Sequence, residues 1–515
     1  MLAQLLGAAI QGLEALPVKI EVHTTETKNL QRFVIVGLPD NSVKESQERI
    51  QTALRVNEYY FPARNIVVNL SPADVRKEGS GFDLPIAIGL LHTLGHIEAK
   101  ELSNTMFIGE LGLDGTILPA KGILPIAIKA REMQCRALFV PAENAREAAV
   151  VDRLPIYGVR HINEVIDILN GRSDIQPTEV NTRAEFFAQQ ETFDVDMQDV
   201  LGQENVKRAF EVAAAGGHNL ILVGSPGCGK SMMAKRLPTI LPPLTLSESL
   251  ETTQIHSIAG KLKTDSTLIT QRPFRSPHHT ISDVAMIGGN TPFAPGEICL
   301  SHNGVLFLDE LPEFSRSVLE TLRQPLEDRI INISRARYSI TLPCSFMLVA
   351  SMNPCPCGYH HHPTHDCCCT PGQIQRYMNK ISGPLLDRID LQVEVQNVPF
   401  EAMASAPKGE PSAVIRERVI KARKIQIERY KSHPGVHCNA QMTSALMHQY
   451  APLDKACTDL LRTAMTRLNL SARAYDRIVK VARTIADLTA SPNIQASHIA
   501  EAVGYRNMDR ENWVE

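Results

Sequence analysis

Apolar residues in the first part of the chain fall into short runs separated by helical spacing. RFVIVGL (32–38) and NIVVNL (65–70) have the length and β-branched content of buried strands, and the stretch from Asn41 to Arg55 reads as a helix with Ser42 near its start. Between Gly171 and Asp196 the pattern dissolves into polar residues without sustained period, which predicts a linker. From 197 to 400 strand-length apolar runs alternate with helical ones, the pattern of a parallel sheet covered by helices. EAMASAPKGEPSA (401–413) reads as a connector, and the chain beyond it shows helical spacing with no strand signal. A multidomain α/β protein is expected, with units at 1–170, 197–400 and 401–515 and a linker at 171–196.

Two local patterns refine this outline. Ile331 and Ile333, then Tyr338, Ile340 and Leu342, alternate on either side of Arg335-Ala336-Arg337, which predicts a hairpin with a basic tip. Its arginines could grip phosphates while Tyr338 stacks on bases, so Arg335, Arg337 and Tyr338 are candidate DNA contacts; the alternative is a solvent-facing turn. In 413–432 the residues Ile415, Val419 and Ala422 form a buried stripe, and seven Lys or Arg fill the rest of the surface. Such a face is either solvated or a nucleic-acid contact.

Composition adds exclusions. Of the 515 residues 43% are hydrophobic and 21% charged, as in globular proteins, and a formal net charge of −3 confines any nucleic-acid surface to a local patch. No stretch of about 18 uncharged apolar residues occurs, and the N-terminal apolar run lacks a positive flank and is broken by Glu14, so neither a membrane span nor a signal peptide is expected. Six scattered cysteines fit reduced thiols in the cytoplasm.

The chemistry begins at Gly224-Ser225-Pro226-Gly227-Cys228-Gly229-Lys230-Ser231, which fits the phosphate-loop pattern G-x-x-x-x-G-K-[ST] between an apolar strand, Leu220 to Val223, and a helix-forming run. Glycines there let backbone N–H groups close round phosphates, Lys230 reaches the β and γ oxygens of ATP, and the Ser231 hydroxyl is offered to Mg²⁺. GVLFLDELPEF supplies the acidic strand end that such a loop needs: Asp309 to hold the Mg²⁺ shell and Glu310 to polarise the attacking water. A third strand, SFMLVASMN, delivers Asn353 to the same end.

Five of the eleven cysteines and four of the seventeen histidines lie in NPCPCGYHHHPTHDCCCTP (353–371). Cys355, Cys357, Cys367 and Cys369 could close tetrahedrally round a structural Zn²⁺, with Cys368 or His365 as substitutes. An incidental Cys/His-rich loop and a redox sensor are the alternatives.

The series GSPGCGKS, VLFLDE, LVASMNP and LLDRIDL resembles the AAA+ ATPases, within them the magnesium-chelatase-like branch. That resemblance implies a sensor role for Asn353, an arginine finger at Arg388, a sensor-2 arginine at Arg473 in a helical lid, a pore-lining role for the hairpin, and a homo-hexameric ring. HHTISDVAMIGGNTPFAPGEICLSHNG (278–304) resembles the helix-2 insertion of the same branch. VRKEGSGFDLPIAIGLL, GELGLDGTILPAKGILPIAIKAREM and ALFVPAENA are similar to the fold shared by the Lon protease domain and the C-terminal domain of the recombination protein RadA. Where Lon-type proteolysis uses a Ser and Lys pair, this chain has Gly81 and Leu124, so an inactive Lon-like domain is expected.

Along nearly its full length the chain resembles the YifB/ComM family. The likeness implies an ATP-driven hexameric motor on single-stranded or branched DNA, promoting helicase activity and branch migration in natural transformation, with recombination proteins as possible partners. Competing readings are an ATPase subunit assisting metal insertion into a tetrapyrrole, an ATP-dependent peptidase, and a regulator that remodels protein partners.

Overall fold

The computed structural model describes residues 2–506 except 28–31, 61–63, 100–101, 191, 264–266, 290–292, 336–337, 361, 363, 398–408 and 469, and at Arg335 and Tyr338 the backbone alone. Arg337 of the expected hairpin tip therefore lies outside the described residues, as does most of the connector at 401–413. The chain divides into two compact units: Met1–Gln189 with Thr245–Thr270 and Gly289–Pro295, and Gln190–Leu244 with Gln271–Gly288 and Gly296–Glu515.

The first unit is built on strands β1 (Leu2–Gln11), β2 (Glu14–Glu26), β3 (Phe33–Val36), β4 (Arg64–Ser71), β5 (Thr105–Phe107), a small pair β6 (Glu110–Leu111) and β7 (Ile117–Leu118), β8 (Ala137–Pro141) and β9 (Ile156–Val159). Seven of them form one mixed sheet in the order β3-β4-β2-β1-β5-β8-β9. RFVIVGL, expected as a buried strand, becomes the edge strand β3, and its Val34 and Val36 share an exposed face while the alternate Phe33 and Ile35 pack against the core. The helix Asn41–Val56 starts one residue before Ser42 and is capped by Asp40, whose carboxylate accepts the Val43 N–H at 2.8 Å. The helix Asp83–Thr93 is apolar on nearly every side and buried except at His92; its one carboxylate, Asp83, meets Arg49 Nε at 2.6 Å and takes the Leu111 N–H.

The polar stretch expected as a linker carries structure of its own. Within it the helix Thr182–Gln189 belongs to the first unit: Phe186 is buried, and Glu185 pairs with Arg146 at 2.9 Å and accepts from Thr267 at 3.1 Å. Two specific contacts and one buried ring suffice to fix a segment whose periodicity is too short to show.

The second unit contains β10 (Leu220–Gly224), β11 (Phe274–Arg275), β12 (Val305–Leu308), the hairpin β13 (Ile330–Arg335) and β14 (Tyr338–Pro343), β15 (Met347–Met352) and β16 (Leu391–Val395). The sheet order is β11-β12-β15-β10-β16, every pair parallel. Its central strands are continuous apolar runs, buried on both faces as parallel strands are. Beyond Ser412 the described residues form helices only, among them Ser412–Arg429 and Ala472–Leu488, whose Ile415, Val419, Ile478 and Ala482 join the same core as Leu220 and Phe307.

Buried polar groups fix these helices to the sheet. His218, before β10, bonds Thr484 at 2.8 Å and Asp390 at 3.3 Å, while Arg477 reaches Asp390 at 2.9 Å. Burial lowers the His218 pKa and keeps the ring neutral, so it can accept from one partner as it donates to the other. Deeper in the unit, Asp487 answers both Arg429 at 2.5 Å and Arg483 at 3.0 Å. No helix among the described residues is long and apolar enough to cross a membrane.

Candidate functional site

Because β10, β12 and β15 run parallel, their C-terminal ends arrive together, and each delivers part of one cluster. After Gly224 the chain turns through Gly227 (φ +81°) and Gly229 (φ +88°), left-handed positions that favour glycine, before the helix Lys230–Ala234. Lys230 folds back, its Nζ donating to the carbonyl oxygens of Gly224 (2.7 Å) and Ser225 (2.9 Å) and to Asn353 Oδ1 (3.2 Å). Ser231 Oγ donates to Asp309 Oδ2 at 2.6 Å. Lys230, Ser231, Asp309 and Asn353, predicted from three separate motifs, thus form two hydrogen-bonded pairs, Lys230–Asn353 and Ser231–Asp309, brought side by side by the adjacent residues 230 and 231.

Glu310 follows with φ +54°, a conformation rare outside glycine, and the carboxylate reaches His279 Nδ1 at 3.7 Å. Its backbone N–H donates to Ser351, whose hydroxyl donates in turn to Asp309. Ser351 and His279 escaped the sequence reading. The signal for Ser351 is a lone hydroxyl in the apolar run LVASM, and for His279 the doubled histidine of RSPHHT. Oxygen donors at Ser231 and Asp309 suit Mg²⁺, and an ammonium beside a glycine-lined loop suits phosphate.

Other predicted residues gather elsewhere. Arg388 donates to the Pro384 carbonyl at 2.7 Å and pairs with Glu327, while Arg473 meets Asp387 at 2.8 Å. Both line a cavity of about 190 Å³ with Asp476, Arg477 and Lys480, so they lie with each other rather than with the Lys230 cluster. Burial, helped by the charge of Arg477, pushes the Lys480 amine down to about 8. A larger cavity, about 730 Å³, is lined by Gly202, Gln203, Gln396, Asn397 and Tyr505. It adjoins the end of β16, where Val395 lies opposite Gly224.

The sulfur atoms of Cys355, Cys357, Cys367 and Cys369 all lie within 4.8 Å of one another, with separations of 3.3, 3.7 and 3.6 Å among the first three. Zn–S bonds of about 2.3 Å would place tetrahedral sulfurs about 3.8 Å apart, so the donor set fits Zn²⁺. Cys368 and His365, the substitutes, are exposed. Burial works to raise the Cys357 thiol, but hydrogen bonds from the Tyr359 backbone amide and the Cys355 thiol lower it overall; burial raises Cys369. Binding Zn²⁺ would require the four ligands as thiolates, so metal uptake would release protons.

The hairpin forms in the expected register, with Ile331 opposite Leu342, Ile333 opposite Ile340 and Arg335 opposite Tyr338. On the basic helix Ser412–Arg429 the stripe Ile415, Val419 and Ala422 is buried as read, yet the arginines have partners within the chain. Arg418 pairs with Glu410 at 2.6 Å, Arg423 donates to the Ala214 carbonyl, Arg429 holds Asp487, and Arg416 lies over the Phe193 ring. In the first unit, Gly81 lies in the turn Ser80–Phe82, the Ser80 hydroxyl donates to Glu110, and Leu124 is fully buried.

Comparison with known proteins covers most of the chain in three family matches. Residues 196–403 match the family described as magnesium chelatase, subunit ChlI; residues 20–144 match subunit ChlI of Mg-chelatase, and residues 409–506 its C-terminal part. The chain is 44% identical to competence protein ComM of Haemophilus influenzae over 99% of its own length and 98% of that protein. It is 41% identical to YifB of Escherichia coli over 98% of its length and 96% of that protein. The magnesium-chelatase 38 kDa subunit of Rhodobacter capsulatus is 25% identical over 30% of this chain and 49% of that subunit. Near-complete alignment with the first two, against partial alignment with the third, places the relationship: the chain belongs to the YifB/ComM family of magnesium-chelatase-like proteins.

Proposed function

We propose that this protein is an ATP-hydrolysing motor that forms a homo-hexamer in the cytoplasm and drives strand exchange on single-stranded or branched DNA. The observation that carries the ATP half is the meeting of two hydrogen-bonded pairs, Lys230–Asn353 and Ser231–Asp309, at the ends of three parallel strands. Similarity to a protein named for competence supports the DNA half and a role in natural transformation. In this reading the first unit is an inactive Lon-like platform, the helices beyond Ser412 act as the lid, and the hairpin carries Arg335, Arg337 and Tyr338 into the pore.

The residues divide the work. Lys230 binds the β and γ oxygens, and the 730 Å³ cavity beside β16 takes the base. Ser231 and Asp309 would hold Mg²⁺, which neutralises phosphate charge when bound. Glu310 accepts the proton of the attacking water, and Asn353 orients the γ-phosphate beside it. A second copy of the chain presents Arg388 and Arg473 from the cavity they share.

The test is hydrolysis and displacement of a labelled strand from forked DNA. Lys230→Ala loses nucleotide binding. Glu310→Gln keeps binding and loses about 10²–10⁴-fold in turnover, the worth of a general base. Arg335→Ala/Arg337→Ala keeps basal hydrolysis and loses DNA stimulation. If forked DNA neither speeds hydrolysis nor is unwound, the motor reading fails. The chelatase family matches favour one other reading, an ATPase subunit for metal insertion into a tetrapyrrole, and Mg²⁺ insertion in the presence of the remaining chelatase subunits would support it.

A further inference from the structure

Two contacts join the four-cysteine knuckle to the phosphate loop, and a third joins it to the segment just past β16, the strand beside that loop. Asn353, which accepts from Lys230 Nζ at 3.2 Å, is separated from Cys355 by Pro354 alone. Gly358 (φ +86°) lies against Pro226 so closely that a Cβ at 358 would stand 2.5 Å from the proline Cδ. His362 Nε2 meets Asn397 Nδ2 at 2.7 Å, just past the strand whose Val395 flanks Gly224. On the far side of the knuckle, Cys369 leads through Thr370, the N-cap, into the helix Pro371–Met378. From that helix the buried Tyr377 returns to accept the Asn353 backbone N–H.

The segment is therefore a loop closed at its neck by four sulfurs, with the nucleotide cluster against its outer wall. Among the described residues between Met352 and Ile374 no large apolar side chain is buried. Hydrophobic packing within the loop cannot hold the wall in place, and the cross-link at the neck is what remains.

We propose that Zn²⁺ held by Cys355, Cys357, Cys367 and Cys369 fixes Asn353 and Gly358 against the phosphate loop and His362 against the end of the neighbouring strand, so that metal and nucleotide bind with positive coupling. The proposal rests on the ATP reading above. It makes the knuckle a regulator of nucleotide affinity, and linkage requires the effect to be reciprocal: whatever factor the metal adds to nucleotide affinity, nucleotide adds to metal affinity.

The experiment uses the full chain. Zinc is counted by elemental analysis, and a fluorescent ATP analogue is titrated into protein as purified, stripped by a chelator, and reloaded with Zn²⁺. Expected are about one Zn²⁺ per chain, nucleotide affinity weakened about 10-fold or more on stripping, recovery on reloading, and an equal gain in Zn²⁺ affinity under saturating analogue, read against a chelating dye. Circular dichroism of the stripped protein separates this from unfolding, and Gly358→Val separates it further. That variant keeps all four thiols and its zinc but pushes the loop off Pro226, so it weakens nucleotide binding at unchanged metal content. Equal affinity in loaded and stripped protein overturns the coupling, as does failure to bind zinc. Lys230→Ala distinguishes the two failures: if wild type binds the analogue, Lys230→Ala does not, and stripping changes nothing, then the coupling alone is wrong. If loaded wild type binds no analogue, the ATP reading fails and takes the coupling with it.

Discussion

The two carboxylates that end β12 are held in different ways. Asp309 receives hydroxyl hydrogen bonds from both Ser231 and Ser351, whereas Glu310 is turned out by its left-handed backbone toward His279. In the proposed ATPase the first is fixed as a metal ligand would need to be, and the second faces away from those hydroxyls, where the proposal puts the attacking water. If Asp309 holds Mg²⁺ as proposed, Ser351 is an orienting partner behind it, a position typically worth 10–100-fold in metal affinity. Ser351→Ala is expected to raise the half-saturating Mg²⁺ for hydrolysis by about 10-fold while nucleotide binding without metal stays as it was. An unchanged Mg²⁺ titration would remove Ser351 from the site. The phosphate loop was legible because its backbone chemistry demands glycines at fixed local spacing. Ser351 and His279 were not, because each is a single residue whose partner is brought to it by the sheet.

Among the elements, the helix Ala472–Leu488 has two working faces. Thr484 and Asp487 point into buried networks, while Arg473, Arg477 and Lys480 line the cavity that also contains Arg388. With its pKa near 8, Lys480 is charged at neutral pH and loses its proton just above it. If this face meets the phosphates of a second copy, kcat/KM for ATP falls as pH rises through about 8, since that parameter reports the free enzyme. Lys480→Arg should carry the plateau to higher pH, and coincident profiles for the two proteins would deny Lys480 any part. The linked effect on stability has the same origin. The unfolded chain holds this proton up to an ordinary lysine pKa of 10.5, so its burial penalty is complete at neutral pH and is relieved as pH climbs from 8 toward 10.5. Periodicity located the basic helix Ser412–Arg429 and its buried stripe. What it could not show is that Glu410 and Asp487 answer Arg418 and Arg429, because counting charges along a helix says nothing of carboxylates brought in from other elements.

At the scale of the molecule, one chain holds the Lys230 group and the Arg388 group as separate constellations. A ring in which each site borrows its finger from a neighbour predicts complementation. Lys230→Ala and Arg388→Ala are each expected to be inactive in hydrolysis, the latter by about 10³-fold or more. Mixing the two restores activity at about a quarter of the interfaces if subunits assemble at random. Hydrolysis that stays at zero in every mixture argues that Arg388 does not act across a subunit boundary. The fold class and the parallel sheet were legible in strand-length runs that alternate with helical ones. The boundaries were harder, because the units exchange segments. Residues 245–270 follow the phosphate-loop helix in sequence yet fold with the first unit, where the Gly122 N–H bonds the Ser257 carbonyl and Ser257 Oγ donates to Glu147. Nothing in their composition announces that allegiance.

The chain passes from one unit to the other five times, at residues 189, 244, 270, 288 and 295. A protease that cut the polar stretch before Asp196 would therefore nick the molecule without dividing it. Residues 245–270 would stay packed among the first 189 while still continuous, in both directions, with the sheet that carries the phosphate loop. Nor can a gene fragment isolate either part: one ending at 189 lacks the helix Leu246–Ile258, and one beginning at 190 displays that helix with its natural neighbours gone.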